Sequence, residues 1–447
     1  MNAFRLVGTA GTQYIHVPTS TVIARASPLG VLIDGLDSIK PAGVDLDALD
    51  LQAAAEQYLG LLDYKLPMLP NAGMAISQVA ISPTLACNLN CSYCYNYQES
   101  EPSRIRSLPS LSDVALEKIF TTLEELPLAK QIAFGFLGGE PLLHPSLLRK
   151  IVDRAKAWCE TQDIAPGFLV TTNGINLAKP DIEDLIVKER FGVYISMDGP
   201  PAWHNEFRKT INGKGSFELV EAGVRRFFSY NPMRYRSVRA TVKLLPGRIL
   251  KTYNFLRDFG FNDIGWGSSD FESVDLKSID QPAIFEEIEA LARQFEDDIL
   301  AGSIKRHSWF TEIFALLYKG ESKGVICGAT RNHVAFDVWG HMQACHRFLG
   351  NEQYVLSSKD IKLGSKSRYI AEIRDAGKTA HCDTCWAQGL CGGECFHVGK
   401  TIAQSVDHEK RQKFLCDFKR HKYQCAINAY MNIWKINPGL IAEMVGA

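Results

Sequence analysis

Between residues 78 and 300 the chain alternates short apolar segments, rich in β-branched and aromatic residues, with longer stretches of helical periodicity. That rhythm permits few architectures, because strands separated by helix-length crossovers pair in parallel and bury both faces of a sheet. Strands are expected at 78–82, 131–137, 167–172, 192–197, 238–244 and 263–267. The intervening helices carry ordinary signals: Ser112 is a cap-type residue ahead of a periodic run. Phe285, Ile288, Leu291, Ala292 and Phe295 form one apolar stripe over 282–300. Such stripes read as core rather than cofactor contacts.

Chemistry gathers where these strands end. The run Cys87-Asn-Leu-Asn-Cys91-Ser-Tyr93-Cys94 follows the first strand. Thiolates hold iron-sulfur clusters, four close a cubane, and three leave one iron without a protein ligand. Short cysteine spacings also suit zinc with a remote fourth ligand, and from the trio alone that reading stays open. Gly138-Gly139-Glu140-Pro141 closes the second strand, Asn173-Gly174 the third, and Ser196-Met197-Asp198 the fourth. Glycines permit close backbone approach and proline ends a strand. An ordinary strand-to-helix turn and a common Asn-Gly turn explain the same residues. Ser196 and Asp198 alternate, so they share a face.

Taken together and in order, these motifs, with His204 and Arg208 beyond them, resemble the radical S-adenosylmethionine (SAM) superfamily. The resemblance implies a partial (β/α)6 TIM-like barrel of α/β class with its site at the carboxyl ends of the strands. It further implies a 4Fe-4S cluster on Cys87, Cys91 and Cys94, with SAM on the vacant iron. Tyr93, Gly138, Gly139, Glu140, Pro141, Asn173, Ser196, Asp198 and Arg208 become the cofactor-binding candidates, Arg208 at the position used for the SAM carboxylate. Without the resemblance, Arg208 reads equally as a solvated arginine. Reductive cleavage of SAM would give methionine and a 5′-deoxyadenosyl radical that takes hydrogen from the substrate, and the electron would come from an external reductant such as flavodoxin or ferredoxin.

Seven further cysteines lie between Cys327 and Cys416 in the C-terminal part. The run Cys382-x2-Cys385-x5-Cys391-x3-Cys395, loosened by Gly392-Gly393, resembles the SPASM extension of radical SAM enzymes. By that resemblance Cys382, Cys385, Cys391 and Cys416 would hold one auxiliary 4Fe-4S cluster, and Cys327, Cys345 and Cys395 a second, for three clusters in all. Many family members carry a further cysteine where this chain has His333. Either His333, Glu394 or another side chain completes the second set, or one iron is open to a substrate thiolate. The surroundings of Cys327, Cys345 and the 382–395 run resemble maturases that build thioether bridges in cysteine-rich peptides, and the maturase of quinohaemoprotein amine dehydrogenase. The implied function is maturation of a ribosomally made peptide or small protein, with an intramolecular cross-link, a cysteine sulfur-to-carbon thioether first. A carbon-carbon or carbon-oxygen link, or oxidation of one residue, is the alternative, and an iron-sulfur electron carrier or redox sensor a third reading.

Bulk properties set the limits. A length of 447 residues with 46% hydrophobic and 22% charged residues describes a globular chain with a large core. A formal net charge of −1 gives no electrostatic case for nucleic acid or a membrane as partner. Without a secretory signal, twelve cysteines in metal-like clusters read as reduced thiols in a cytoplasmic protein. Three segments are expected: 1–75, 76–305 for the barrel, and 306–447 for a bridging region and the auxiliary clusters. The first, with strands near Tyr14 and Val22, a helix over 49–62 and a linker over 65–73, is either a leader-peptide recognition module or a cap on the barrel. Cys159 and Cys425 read as buried small hydrophobes. The run Lys419-Arg420-His421-Lys422 reads as a solvated face, and Gly265-Trp266-Gly267-Ser268-Ser269 fits no pattern.

Overall fold

The computed structural model describes residues 4–7, 13–16, 22–25, 75–94, 96, 107–231, 234–268, 276, 279–319, 323, 325–363, 367–375, 382, 385 and 387–446. The helix expected at 49–62 and the linker at 65–73 lie outside them. Near the N-terminus, β1 (Phe4–Val7), β2 (Gln13–His16) and β3 (Val22–Arg25) form an antiparallel meander.

Six parallel strands follow in chain order around one sheet: β4 (Ile76–Ile81), β6 (Leu128–Phe136), β7 (Ala165–Thr172), β8 (Gly192–Ser196), β10 (Ser237–Val242) and β11 (Asp263–Ser268). They are the six strands the periodicity predicts, displaced by no more than a few residues at their ends. Helices α1 (Asp113–Glu124), α2 (Pro145–Thr161), α3 (Pro180–Lys188), α4 (Pro201–Phe207), α5 (Phe217–Tyr230), α6 (Ile249–Phe259) and α7 (Gln281–Leu300) lie between and after them. Ser112 caps α1, its Oγ accepting from Ala115 N at 3.2 Å.

Alternation along each strand separates two faces. On β6, Ile132, Phe134 and Phe136 are buried against the helices, and Phe120 of α1 meets Phe134 and Trp158 of α2. Between them stand Ala133 and Gly135 on the inner face. The sheet is wider than the barrel that the resemblance implies: β12 (Arg306–His307) extends one edge in parallel, and β13 (His333–Phe336) pairs in parallel with β4 at the other. Antiparallel β14 (Met342–Gln343) and β15 (Val355–Leu356) complete ten strands. These additions are two to four residues long and too short to show as periodic segments.

The 29-residue helix His408–Ile436 packs along α7. The Lys419–Lys422 run on it is not the solvated face its charge suggests. His421 stacks on Phe285 at 4.2 Å, Lys422 lies over Trp309, and Lys419 keeps 13% of its side-chain exposure. Inward neighbours on α7 and the cysteine segments override a charge pattern read locally. Cys159 and Cys425 are buried, as expected of small hydrophobes. No helix among the described residues is long and apolar enough to cross a membrane.

Candidate active site

A short strand missing from the sequence reading builds the site. β5 (Leu89–Cys91) pairs antiparallel with β9 (Arg208–Thr210), placing Cys91 opposite Arg208 although 117 positions separate them. Cys87 and Leu89 form a small apolar cluster with Cys91, Cys94, Leu108 and Ile175, so the three thiols share one pocket of low polarity. Burial pushes the Cys87 thiol far up, with the nearby Glu140 charge adding to it, and pushes Cys91 to about 12 against the opposing effect of Arg208.

Gly138 and Gly139 make the approach the sequence predicts, but to the chain itself. A Cβ on Gly139 would stand 2.1 Å from the Ala86 carbonyl oxygen, and one on Gly138, at φ +131°, 2.3 Å from Ser82 Oγ. Hydrogen bonds from Gly139 N to Thr84 O and from Glu140 N to Ala86 O, both 2.8 Å, clamp the loop leading to Cys87 onto the end of β6. Pro141 opens the short turn that follows. The Glu140 carboxylate is fully buried and joins two strands: Oε1 accepts from Thr172 Oγ1 at 2.7 Å and Leu142 N at 3.0 Å, Oε2 from Asn173 N at 2.7 Å. Burial raises its pKa, against those three donors. Asn173 turns to the cysteine loop, its Nδ2 donating to Asn88 Oδ1 at 2.7 Å.

Asp198 is the second joint. Its Oδ2 accepts from Tyr93 Oη at 2.5 Å and Arg208 Nε at 2.8 Å, and its Oδ1 from Arg208 Nη2 at 3.1 Å and Thr241 N at 2.8 Å. Arg208 is therefore no solvated arginine. It is buried, forked onto Asp198, beside Tyr93 and hydrogen-bonded to the Cys91 sulfur. His204 supports the joint from behind: Nδ1 accepts from Asp198 N at 3.4 Å and Nε2 meets Ser216 Oγ at 3.0 Å, whose own proton goes to Arg208 O. Burial lowers its pKa to about 4, so it is neutral. Ser196 is half-buried at the end of β8.

The seven C-terminal cysteines fall into two groups. Cys382, Cys385, Cys391 and Cys416 line one cavity with Lys419, Arg420 and Tyr423. Cys395 is near enough to Cys327 and Cys345 for its charge to push both thiols up, after burial. His333 lies at the end of the tight turn after Cys327, its backbone N donating to Gly328 O at 3.1 Å, while Glu394 pairs with Lys419 at 2.7 Å. No three His, Cys, Asp or Glu side chains among the described residues converge closely enough to hold a single metal ion. Thiols are soft donors of the kind that hold iron-sulfur clusters.

Residues 81–239, from the end of β4 into β10, match the Radical SAM superfamily. This segment is a radical SAM domain. A serine-type anaerobic sulfatase-maturating enzyme of Bacteroides thetaiotaomicron is 31% identical over 148 residues, 33% of this chain and 35% of that protein. The chain thus spans about a third of the length of that curated relative. A radical SAM cyclopropyl synthase, TigE, of Paramaledivibacter caminithermalis is 23% identical over 348 residues, 72% of this chain and 68% of that one. Beyond the radical SAM domain the fold likeness continues. The structure of native anSMEcpe with bound AdoMet and Cp18Cys peptide superposes with a TM-score of 0.63 at 19% identity, covering 80% of this chain and 99% of that chain.

Asn88, bonded to Asn173, and Thr241, whose backbone N donates to Asp198, were not among the candidates drawn from the sequence.

Proposed function

We propose that this chain is a radical SAM maturase that oxidatively cross-links a ribosomally made peptide or small protein. The observation that carries the reading is the placement of ten cysteines in three groups, one of them a trio at the carboxyl-end mouth of the radical SAM barrel. Cys87, Cys91 and Cys94 would hold a 4Fe-4S cluster and the other two groups an auxiliary cluster each, 76–305 and 306–447 being the corresponding segments and 1–75 a peptide-recognition module. Bound SAM on the first cluster would supply a 5′-deoxyadenosyl radical that takes a hydrogen atom from the substrate.

The chain's own residues supply position and dryness. Glu140 and Asp198 fix the strand ends, Arg208 and Tyr93 brace the trio, the Gly138–Pro141 turn holds the loop before Cys87, and Asn173 and Ser196 are the candidates to meet the methionyl and ribose groups. The three-thiol group at Cys327, Cys345 and Cys395 supports a thioether product, through a substrate cysteine taken as the missing ligand; His333 is the competing ligand. A specific observation favours a second reading: the likeness to a cyclopropyl synthase over 72% of the chain supports carbon-carbon bond formation by the same machinery. Peptide as substrate class is supported by the peptide bound in the neighbouring structure.

The test is anaerobic reconstitution with iron, sulfide and reductant. About twelve irons per chain are expected, falling to about eight when Cys87, Cys91 and Cys94 are replaced by alanine, with 5′-deoxyadenosine formed only by the intact trio. Full iron loading without SAM cleavage would leave an electron carrier. Coexpression with small peptides encoded beside the gene should yield a product lacking two hydrogens; replacing every substrate cysteine abolishes a thioether and spares a carbon-carbon link.

A further inference from the structure

The odd run at β11 acquires a purpose from its neighbour. Trp266 turns outward and packs edge-on against His307 and Trp309 at 4.7 and 5.3 Å, so Gly265 and Gly267 face the inside of the barrel. Gly265 lies beside Arg239 of β10, which on its other side pairs with Ser196. A Cβ on Gly265 would fall 2.2 Å from Arg239 Nη1 and 2.7 Å from its Cζ. The guanidinium rests 4.2 Å over the ring of Tyr194 and donates from Nη1 to Val238 O at 3.0 Å. Strand β11 therefore gives up a side chain to seat a cation.

That cation stands on an otherwise open surface. Gly135 and Gly267, on the same inner face, and Gly167 beside it have nothing within 4 Å of where a Cβ would be. Arg239 is half-buried, and no carboxylate among the described residues pairs with it. Arg208, one barrel layer nearer the mouth, is closed on Asp198, whereas among the described residues Arg239 meets a ring and a single carbonyl, with Nε and Nη2 unpaired there. A ring under a guanidinium offsets part of the cost of burying it but leaves its fork free, and a planar fork is matched by a carboxylate.

We propose that Arg239, braced on Tyr194 and admitted by Gly265, is a carboxylate-binding residue of the barrel interior that positions an acidic group beside the reacting centre. Within the maturase reading on which this rests, the group is an Asp or Glu side chain or the C-terminus of the peptide; the carboxylate of SAM has the same chemistry. The site makes the enzyme selective for substrates with a negative charge near the residue they modify.

Phenylglyoxal labelling of the reconstituted full chain, read by mass spectrometry peptide by peptide, tests this without requiring turnover. Arg239 should be labelled while Arg208 is not. N-acetylglutamate α-amide should slow labelling of Arg239 several-fold if a side-chain carboxylate is read, N-acetylglycine if a C-terminus is, and SAM alone if the carboxylate is the cofactor's. N-acetylglutamine amide should have no effect. An unreactive Arg239, protection by no carboxylate, or equal protection by the neutral amide overturns the proposal, whatever the fate of the maturase reading. Arg239→Lys, expected to melt like the wild type, should bind random displayed peptides with acidic enrichment retained; Arg239→Glu should lose it.

Discussion

The barrel-mouth trio and the C-terminal cysteine groups solve the same problem, holding several thiols near one another, by opposite means. Cys87, Cys91 and Cys94 lie within eight consecutive positions and are fixed by strand register, two buried carboxylate joints and a glycine-tight loop. The C-terminal thiols come from positions spread from 327 to 416, and Cys382, Cys385, Cys391 and Cys416 line one cavity. The paired charges differ in step: Arg208 and Asp198 keep 10% and 1% of side-chain exposure, Lys419 and Glu394 13% and 17%. The first site is built by strand register and buried pairs, whereas the second gathers thiols from segments distant in sequence.

The sharpest way to break that contrast is to remove one member of each ion pair. Asp198→Ala strands four donors, two of them on a buried guanidinium, and should cost ~3–5 kcal/mol of stability in urea titrations. Glu394→Ala should cost only about 1–2 kcal/mol, because Lys419 retains the Gly393 carbonyl at 3.0 Å and some access to water. Equal losses would mean that the two sites are equally prebuilt. If the proposed clusters are reconstituted and their iron is then chelated, amide exchange should rise across the C-terminal cysteine segments and stay slow in β5 and β9.

Acid should reach the barrel through its neutral histidines. His204 has its pKa lowered to about 4 and His307 to about 3, both by burial, from an ordinary 6.5. The unfolded chain takes up these protons first. The stability they carry is thus complete above pH 6.5 and lost as pH falls toward 4, at roughly 1.4 kcal/mol per pH unit for each histidine. His204→Gln should flatten the slope by one histidine's worth between pH 6 and 4.5, measured by urea midpoints. An unchanged slope would remove His204 from the account of the Asp198 joint.

Much of the barrel was legible because its signals are periodic and local. The strand containing Val193 and Ile195, or the stripe from Ile288 to Phe295, needs no partner to be recognised. The site was legible as a set of positions but not as a geometry. Nothing local to Cys91 announces that Arg208 is its strand partner, and nothing local to Gly139 says that the backbone it admits belongs to Ala86. The Lys419–Lys422 run misled for the same reason: its partners are Glu394, Phe285 and Trp309, all distant in sequence. Gly265, unexplained in the sequence, is explained by a side chain on the neighbouring strand.

Gly139→Ala gives the most discriminating change. The new methyl would stand 2.1 Å from a backbone oxygen, which no rotamer change can relieve, so the loop before Cys87 must shift. Shifting one clamped loop by a few tenths of an ångström to an ångström costs ~1–3 kcal/mol. The helices and the sheet, with their core on the other face, should melt almost as before. The displacement falls on the thiol geometry, so iron at the trio should bind more weakly while the C-terminal groups load normally. On the proposed three-cluster reading, spectroscopic counting of clusters in the variant would show loss confined to the trio. Uniform loss would mean that the loop is coupled to the C-terminal groups, and that the two regions are not the separate constructions their packing describes.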